Sequence, residues 1–432
     1  GDSKDEVTPF FNLSKEGRNV VFIFLDRAIS GYFNIIMEEF PDIIDQFVGF
    51  DYYPNTVSFG NNTILGAPSM VGGYEYTPEA MNARSSEKLV DKHNEALMVL
   101  PKIFLDAGFD IAIADPPFSN YTNDADYTPY VAYPEMRVIQ HKRKFAIPYK
   151  KEFSDVVDFD EEIQSDTIKR RLPLFSIFKT AFPIVRDILY DKSFYFTSLR
   201  GVPEFDKFIE TYSELYFLDD LTQYNANGNT FTFIGNDTTH EPVLLQVPEY
   251  EPRTVVTNTR TPIDDIVGIE LTDREHFHIN VAAMKQLGKW FTQLQKEGVY
   301  DNTRIIIVAD HGRELYSPHF NEFENNSRYL TLFNPLLLMK DFNSVGNLTK
   351  QNEFMTQGDA PIFAIKDLDV SPINPFTHKN MNQLVKKDEV NVYSGPWNPK
   401  KNIGNQFTLY PSLSFRVKDS IFEEENWTPL QD

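Results

Sequence analysis

Asn19–Leu25 (NVVFIFL) is a near-continuous apolar run, the pattern of a strand buried on both faces of a parallel sheet. Phe109–Ala114 (FDIAIA), Thr230–Ile234 (TFTFI) and Thr303–Ala309 (TRIIIVA) predict three more such strands. Between the last two lies the clearest helix, Ile279 to Glu297. Its Ile279, Ala282, Ala283, Leu287, Trp290, Phe291 and Leu294 recur at three- and four-residue steps on one face. Gly298 follows as the stop. Lys102 to Gly108 reads as a helix end ahead of the second strand. Strand and helix in alternation predict an α/β fold, with a mostly parallel central sheet sandwiched by helices.

The pattern changes twice. Residues from about 116 to 229 are less regular, with Ser165 to Asp191 and Pro203 to Leu218 largely helical, and are taken as an insertion. From about 371 short, Pro-rich and polar-aromatic segments predict a small C-terminal subdomain with antiparallel strands. The expected division is therefore 1–370, with the insertion at about 116–229, and 371–432.

Composition narrows the function. A chain of 432 residues with 41% apolar and 14% aromatic content can bury a large core. The net charge of −22 repels phosphate backbones and anionic lipid, so no nucleic-acid partner is expected. Absence of cysteine removes thiol catalysis and thiolate metal sites. No run of 18 apolar residues occurs, so no membrane-spanning helix is expected within this chain. A start at Gly-Asp-Ser rather than Met reads as a scar or a truncation, which leaves room for a missing membrane portion.

Four segments carry candidate chemistry. Two strands end in carboxylates, at Asp26 and at Asp310-His311-Gly312. In parallel α/β sheets ligands bind outside the carboxyl ends of the strands. Two Asp and one His gathered there suit Zn²⁺ or Mn²⁺; each Asp alone would also serve as a helix N-cap. Thr63, in Gly60-Asn-Asn-Thr-Ile-Leu-Gly-Ala-Pro68-Ser-Met70, has a hydroxyl that a metal could activate, on a stretch that also reads as a polar loop. His240, in Thr-Thr-His-Glu-Pro242, could bind phosphoryl oxygens or pass a proton, or be a turn histidine. Asp273, His276 and His278 could form a second metal site or a solvated helix start. His93, His141 and His378 read as surface residues.

The order and spacing of these segments resemble the lipoteichoic acid synthases and lipid A phosphoethanolamine transferases, sulfatase-like members of the alkaline-phosphatase superfamily. The acidic residue of FLDRA matches Asp26; Thr63, Pro68 and Met70 match the nucleophile segment; His240-Glu-Pro242 matches a His-x-Pro. The most specific block is Gly298-Val-Tyr-Asp-Asn-Thr303 leading to Asp310-His311-Gly312. The resemblance spans about 18 to 365 without the insertion. Two features depart from it: the first acidic residue is Asp where the phosphoethanolamine enzymes use Glu, and His319 falls eight residues after His311 where about twelve are expected.

What the resemblance implies is a sulfatase-like catalytic domain with one divalent ion, Mn²⁺ or Zn²⁺, held by Asp26, Thr63, Asp310 and His311. Thr63 would be the nucleophile and His240 would serve catalysis or, with Asn62 and His319, substrate binding. The reaction would move a phosphoglycerol- or phosphoethanolamine-type group from a membrane lipid to a surface glycan or lipid, through a phosphothreonine. The domain would face the outside of a bacterial cell membrane, tethered by N-terminal transmembrane helices missing from this chain. A phosphodiesterase or phosphatase would use the same residues with water as acceptor. A glycan- or lipid-binding scaffold would lack a working site. Sulfatases need a Cys or Ser converted to formylglycine within a Cys/Ser-x-Pro/Ala-x-Arg motif; there is no Cys, and neither Ser58 nor Ser69 has that context.

Overall fold

The computed structural model describes residues 7–153, 204–240, 244–253, 261–268, 271–315, 317–320, 323, 327–385 and 388–430. The expected helix at Ser165 to Asp191 lies outside them. Elements are numbered here in chain order as far as they position the site. The strands are β1 Asn19–Leu25, β2 Phe50–Tyr52, β3 Asp110–Ala114, β4 Arg137–Ile139, β5 Thr230–Asn236, β6 Thr303–Val308, β7 Leu337–Lys340 and β8 Thr349–Lys350. The helices are α1 Ser30–Glu39, α2 Thr63–Gly72, α3 Leu89–Asp106, α4 Glu204–Tyr216 and α5 Leu271–Lys296.

These eight strands form one sheet in the order β8-β2-β7-β6-β1-β5-β3-β4. Only β7 runs against its neighbours. The four apolar runs are the four central parallel strands, and their lack of alternation has a direct cause. Val21, Ile23 and Leu25 of β1 pack on one face against α1, α4 and α5. Val20, Phe22 and Phe24 pack on the other against α2 and α3. Each fully buried side chain of this kind contributes about 1.5–3 kcal/mol.

Helix α5 buries the predicted stripe, from Ile279 to Leu294. It begins at Leu271, eight residues earlier than the apolar periodicity indicates. Its first turns present Asp273 and His276 inward, and both are fully buried. Polar residues on a buried face break an apolar pattern, so the sequence hides that extension.

The C-terminal segment supplies a three-stranded antiparallel sheet, β9 Glu389–Val392, β10 Phe415–Lys418 and β11 Trp427–Pro429. Val390, Val392, Phe415, Val417 and Trp427 pack with Val57, Phe59 and Phe333 of the main body.

Two histidines read as surface residues are not. His93 is completely buried on α3, with Nε2 3.0 Å from the Pro117 carbonyl, and burial pushes its pKa down to about 4. His141 is enclosed by the rings of Phe10, Phe11 and Phe145, and burial pushes it down to about 3. A neutral imidazole packs as an aromatic, which single-residue context does not reveal. His378 is exposed.

Candidate metal centre and active site

Strands β1 and β6 are parallel neighbours with Phe24 opposite Val308. Two residues further along each strand, Asp26 and Asp310 therefore end at the same level. His311 follows. Asp26 Oδ1 lies 3.8 Å and Asp310 Oδ2 3.6 Å from His311 Nε2. Among the described residues, these three are the group of acidic and histidine side chains close enough to hold one ion.

The arrangement fits a divalent cation on its own chemistry. Asp26 Oδ1 and Asp310 Oδ2 are buried without hydrogen-bond partners. His311 Nδ1 sits 2.6 Å from the Gly312 carbonyl, which holds the proton on Nδ1 and leaves the Nε2 lone pair facing the carboxylates. Burial, reinforced by Asp310, raises Asp26 to about 6. Burial likewise raises Asp310 to about 6 against the hydrogen bond from Thr63, and lowers His311 to about 4. Buried carboxylates facing each other with a neutral imidazole are costly alone and are what a cation neutralises.

Thr63 is brought to this group, but not by a loop. It is the first residue of α2, with Asn62 as the N-cap accepting from Leu65 N at 3.3 Å. The Thr63 hydroxyl hydrogen-bonds Asp310. Contact is made possible by Gly66, where a Cβ would stand 2.2 Å from the Asp310 carbonyl oxygen. The hydroxyl thus lies both beside the candidate metal ligands and at a helix N-terminus, which favours negative charge. The Asn62 amide is occupied in placing it, donating to the Gly395 carbonyl at 3.0 Å.

His240 lies past the end of β5, its amide donating to the Asp237 carbonyl at 2.9 Å. Its imidazole is within electrostatic reach of Asp26 and His311. Glu241 and Pro242 lie outside the described residues. His319 is exposed against Phe320 and stands apart from the three-residue group.

Asp273, His276 and His278 share α5 but diverge. His278 is held by Asp264 at 2.9 Å and by the Tyr250 hydroxyl at 3.0 Å, a structural role. His276 packs edge-on to Tyr32, and burial keeps it neutral. Asp273 Oδ1 is 3.8 Å from the Arg313 guanidinium. They form no ion-sized group.

Two arginines were missed in the sequence. Arg27 follows Asp26 and has a left-handed backbone, φ 61°, with its amide 3.4 Å from Asp310 Oδ1. Arg313 follows Gly312. Both charges bear on His276, and that of Arg27 also on His311. Their adjacency to the strand-end motifs was the available signal. They supply positive charge where an anion would meet the cluster.

The sulfatase family model matches residues 18–360. No curated protein matches the chain. Similar solved structures include a phosphonate monoester hydrolase from Silicibacter pomeroyi (13% identity, 93% of this chain and 89% of that one, TM-score 0.49). Others are the lipoteichoic acid synthase LtaP from Listeria monocytogenes (12%, 94% and 86%, 0.44) and the C-terminal periplasmic domain of EcEptC from Escherichia coli (12%, 94% and 97%, 0.40). At these identities and TM-scores the likenesses assign no chemistry.

Proposed function

The chain belongs to the sulfatase family, and from that premise we propose that it is a metal-dependent phosphotransferase working through Thr63. Members of the superfamily are hydrolases or transferases of phosphate or sulfate esters and use divalent metal ions. The observation that carries the reading is the Thr63 hydroxyl bonded to Asp310 at the start of α2, against Asp26 and His311. The chain contains no cysteine, and neither Ser58 nor Ser69 lies in the motif that formylglycine formation needs.

Asp26, Asp310 and His311 would hold one divalent ion, Mn²⁺ or Zn²⁺, with the Thr63 hydroxyl as a further ligand. When bound, that ion would supply Lewis acidity that favours the Thr63 alkoxide and offsets phosphoryl charge, worth several kcal/mol. Asp310 orients the Thr63 hydroxyl. With its hydroxyl proton released to solvent beforehand, Thr63 Oγ attacks the phosphorus of a phosphodiester; the bond to the leaving alcohol breaks, and His240 gives that alcohol its proton. Arg27 and Arg313 hold the phosphoryl oxygens in place. An acceptor alcohol then attacks the phosphothreonine, its proton passing to His240, and Thr63 Oγ leaves. The donor would be a membrane lipid with a phosphoglycerol- or phosphoethanolamine-type head group, and the acceptor a surface glycan or lipid. The domain would act on the outer face of a bacterial cell membrane. No helix among the described residues is long and apolar enough to cross one.

The test is mass spectrometry of Thr63 after incubation of the metal-loaded protein with candidate phosphodiester lipids. An added mass on Thr63 equal to the phosphorylated head group supports the reading. Turnover without any modified Thr63, persisting in Thr63→Ala, would instead indicate direct hydrolysis by water.

A further inference from the structure

Between β9 and β10 the chain runs out as a lobe, residues 393–414, and this lobe hangs from the segment that ends in Thr63. The Tyr393 amide donates to the Phe59 carbonyl at 3.0 Å, and Tyr393 bridges to Gly60. The Gly395 amide donates to Asn61 Oδ1 at 3.1 Å, and the Asn62 side chain donates back to the Gly395 carbonyl at 3.0 Å. Asn62 caps α2, so the lobe is hydrogen-bonded to the residues immediately before Thr63. Trp397 stands two residues beyond Gly395 and therefore within about 7 Å of it along the chain. Its ring meets that of Phe118, on the segment after β3, at 4.8 Å.

Hydrogen bonds hold the lobe as one body. Asn402 Nδ2 donates to the Pro396 and Asn398 carbonyls at 3.3 and 3.2 Å, and the Tyr410 amide to the Ser394 carbonyl at 2.8 Å. The buried Lys92 of α3 pins it from below, donating to the Asn405 carbonyl at 2.7 Å. Its outer surface is apolar and basic. Four of the eight exposed large apolar side chains among the described residues belong to it: Trp397 (49% exposed), Ile403 (73%), Tyr410 and Leu413. Scattered singly they would need no explanation, but gathered on one short lobe beside a site they mark an interaction surface. From Val390 to Lys418 the chain has no acidic residue and four basic ones, Lys400, Lys401, Arg416 and Lys418, all exposed, in a protein of net charge −22. Acid reaches this stretch around β9, where Glu389 lies 3.9 Å from Arg416 and Glu79 accepts from Asn391 at 3.3 Å.

We propose that residues 397–413 are a docking surface for an anionic lipid bilayer, which sets the start of α2 against the head groups. The purpose of docking, delivery of a lipid donor to Thr63, rests on the phosphotransferase reading; the docking itself needs no catalysis. Trp and Tyr carry an apolar ring and a polar tip and settle at the boundary between head groups and acyl chains. Ile403 and Leu413 gain by leaving water. Lys400 and Lys401 meet the anionic head groups directly. The acidic remainder of the molecule opposes this only weakly, because charges more than about 8 Å away are largely screened at physiological ionic strength. A soluble polyanion would engage the lysines and leave four apolar side chains in water. A neutral glycan would stack on Trp397 but offer nothing to Ile403, Leu413 or the basic charges.

The experiment is co-sedimentation of the 432-residue chain with phosphatidylcholine vesicles made with and without phosphatidylglycerol. The expected result is binding to the phosphatidylglycerol vesicles that exceeds binding to the neutral ones and weakens as salt is added. Tryptophan fluorescence locates the contact: of the three tryptophans, Trp290 and Trp427 are buried, so a blue shift on vesicle binding reports Trp397 and should vanish in Trp397→Phe. The double variant Lys400→Gln, Lys401→Gln should weaken binding at least about tenfold, since each basic residue near an anionic surface is worth about fivefold. Ile403→Ser should weaken it too, with the salt dependence kept. All these variants change exposed side chains and should retain the parent's kcat/KM on a water-soluble nitrophenyl phosphodiester. Absence of binding, equal binding to neutral vesicles, or binding unchanged in the double lysine variant overturns the proposal. So does a dimer in solution that Ile403→Ser dissolves while vesicles are ignored, which would assign the lobe to a second copy of the chain. Vesicle binding by a parent that turns over no diester would instead fell the Thr63 reading and leave the docking surface standing.

Discussion

At Thr63 a single hydroxyl is asked to carry the chemistry. Thr63→Ala should abolish turnover of a phosphodiester while metal content and the circular-dichroism spectrum stay near those of the parent. The side chain is only half-buried, so the stability cost should stay within about 1 kcal/mol. Thr63→Ser keeps the hydroxyl and should retain partial activity. The ligands themselves predict a pH dependence. Asp26 and Asp310 titrate near 6 in the folded protein, so protonation displaces metal as pH falls through about 6. The sign for folding follows. Without metal these carboxyls bind more protons folded than unfolded between about 4 and 6, so their contribution to stability falls as pH rises through that window. His311, depressed to about 4, contributes in the opposite sense. The gain in Tm on adding metal should therefore grow from about pH 5 to about pH 8. A gain independent of pH across that range would remove these carboxylates from the site.

At the scale of elements, the site depends on how closely α2 approaches the end of β6. Gly66→Ala would force that approach apart, because its Cβ would stand 2.2 Å from the Asp310 carbonyl. Overpacking of this kind costs about 1–3 kcal/mol. The same displacement should pull Thr63 from Asp310, so activity should fall further than Tm does. Arg304 anchors β6 from its other end. Its buried guanidinium donates to Asp341 at 2.7 Å and to the carbonyls of Phe363, Ala364 and Lys366 at 3.0, 3.2 and 2.6 Å. Arg304→Ala would leave several of these acceptors unsatisfied and should lower stability by about 3 kcal/mol or more, read as a fall in Tm. With metal in excess, ligand binding in the surviving folded fraction should remain, since Arg304 touches none of the three ligands.

For the whole molecule, an ion held by Asp26, Asp310 and His311 would join β1 to β6 at the middle of the sheet. A chelator should therefore lower Tm of the intact protein, and Mn²⁺ or Zn²⁺ should restore it. Asp310→Ala should show no such response. An unchanged Tm with chelator in the parent would show that the cluster binds no ion under those conditions.

The sequence alone determined the central strands, because residues buried on both faces must be apolar at every position, and β1 and β6 could be read directly. It determined the strand-end motif for the same reason: a polar Asp26 or Asp310 after such a run marks the carboxyl edge. The stripe of α5 was legible from Ile279 onward, and the antiparallel C-terminal strands from their short polar-aromatic segments. Only the tertiary structure decided what depends on residues far apart in the chain. Thr63 opens a helix because Asn62 caps it and Gly66 lets it dock on Asp310, and neither fact is a property of a local window. Asp273, His276, His93 and His141 are buried because neighbouring layers cover them, which hydropathy counts as polar and therefore exposed. Glu214 stands 99 residues after Asp115 and 23 before Asp237 in the chain, yet shares a cleft with both. Strand order brings these groups together, and strand order is fixed by packing across the whole sheet rather than by any one segment.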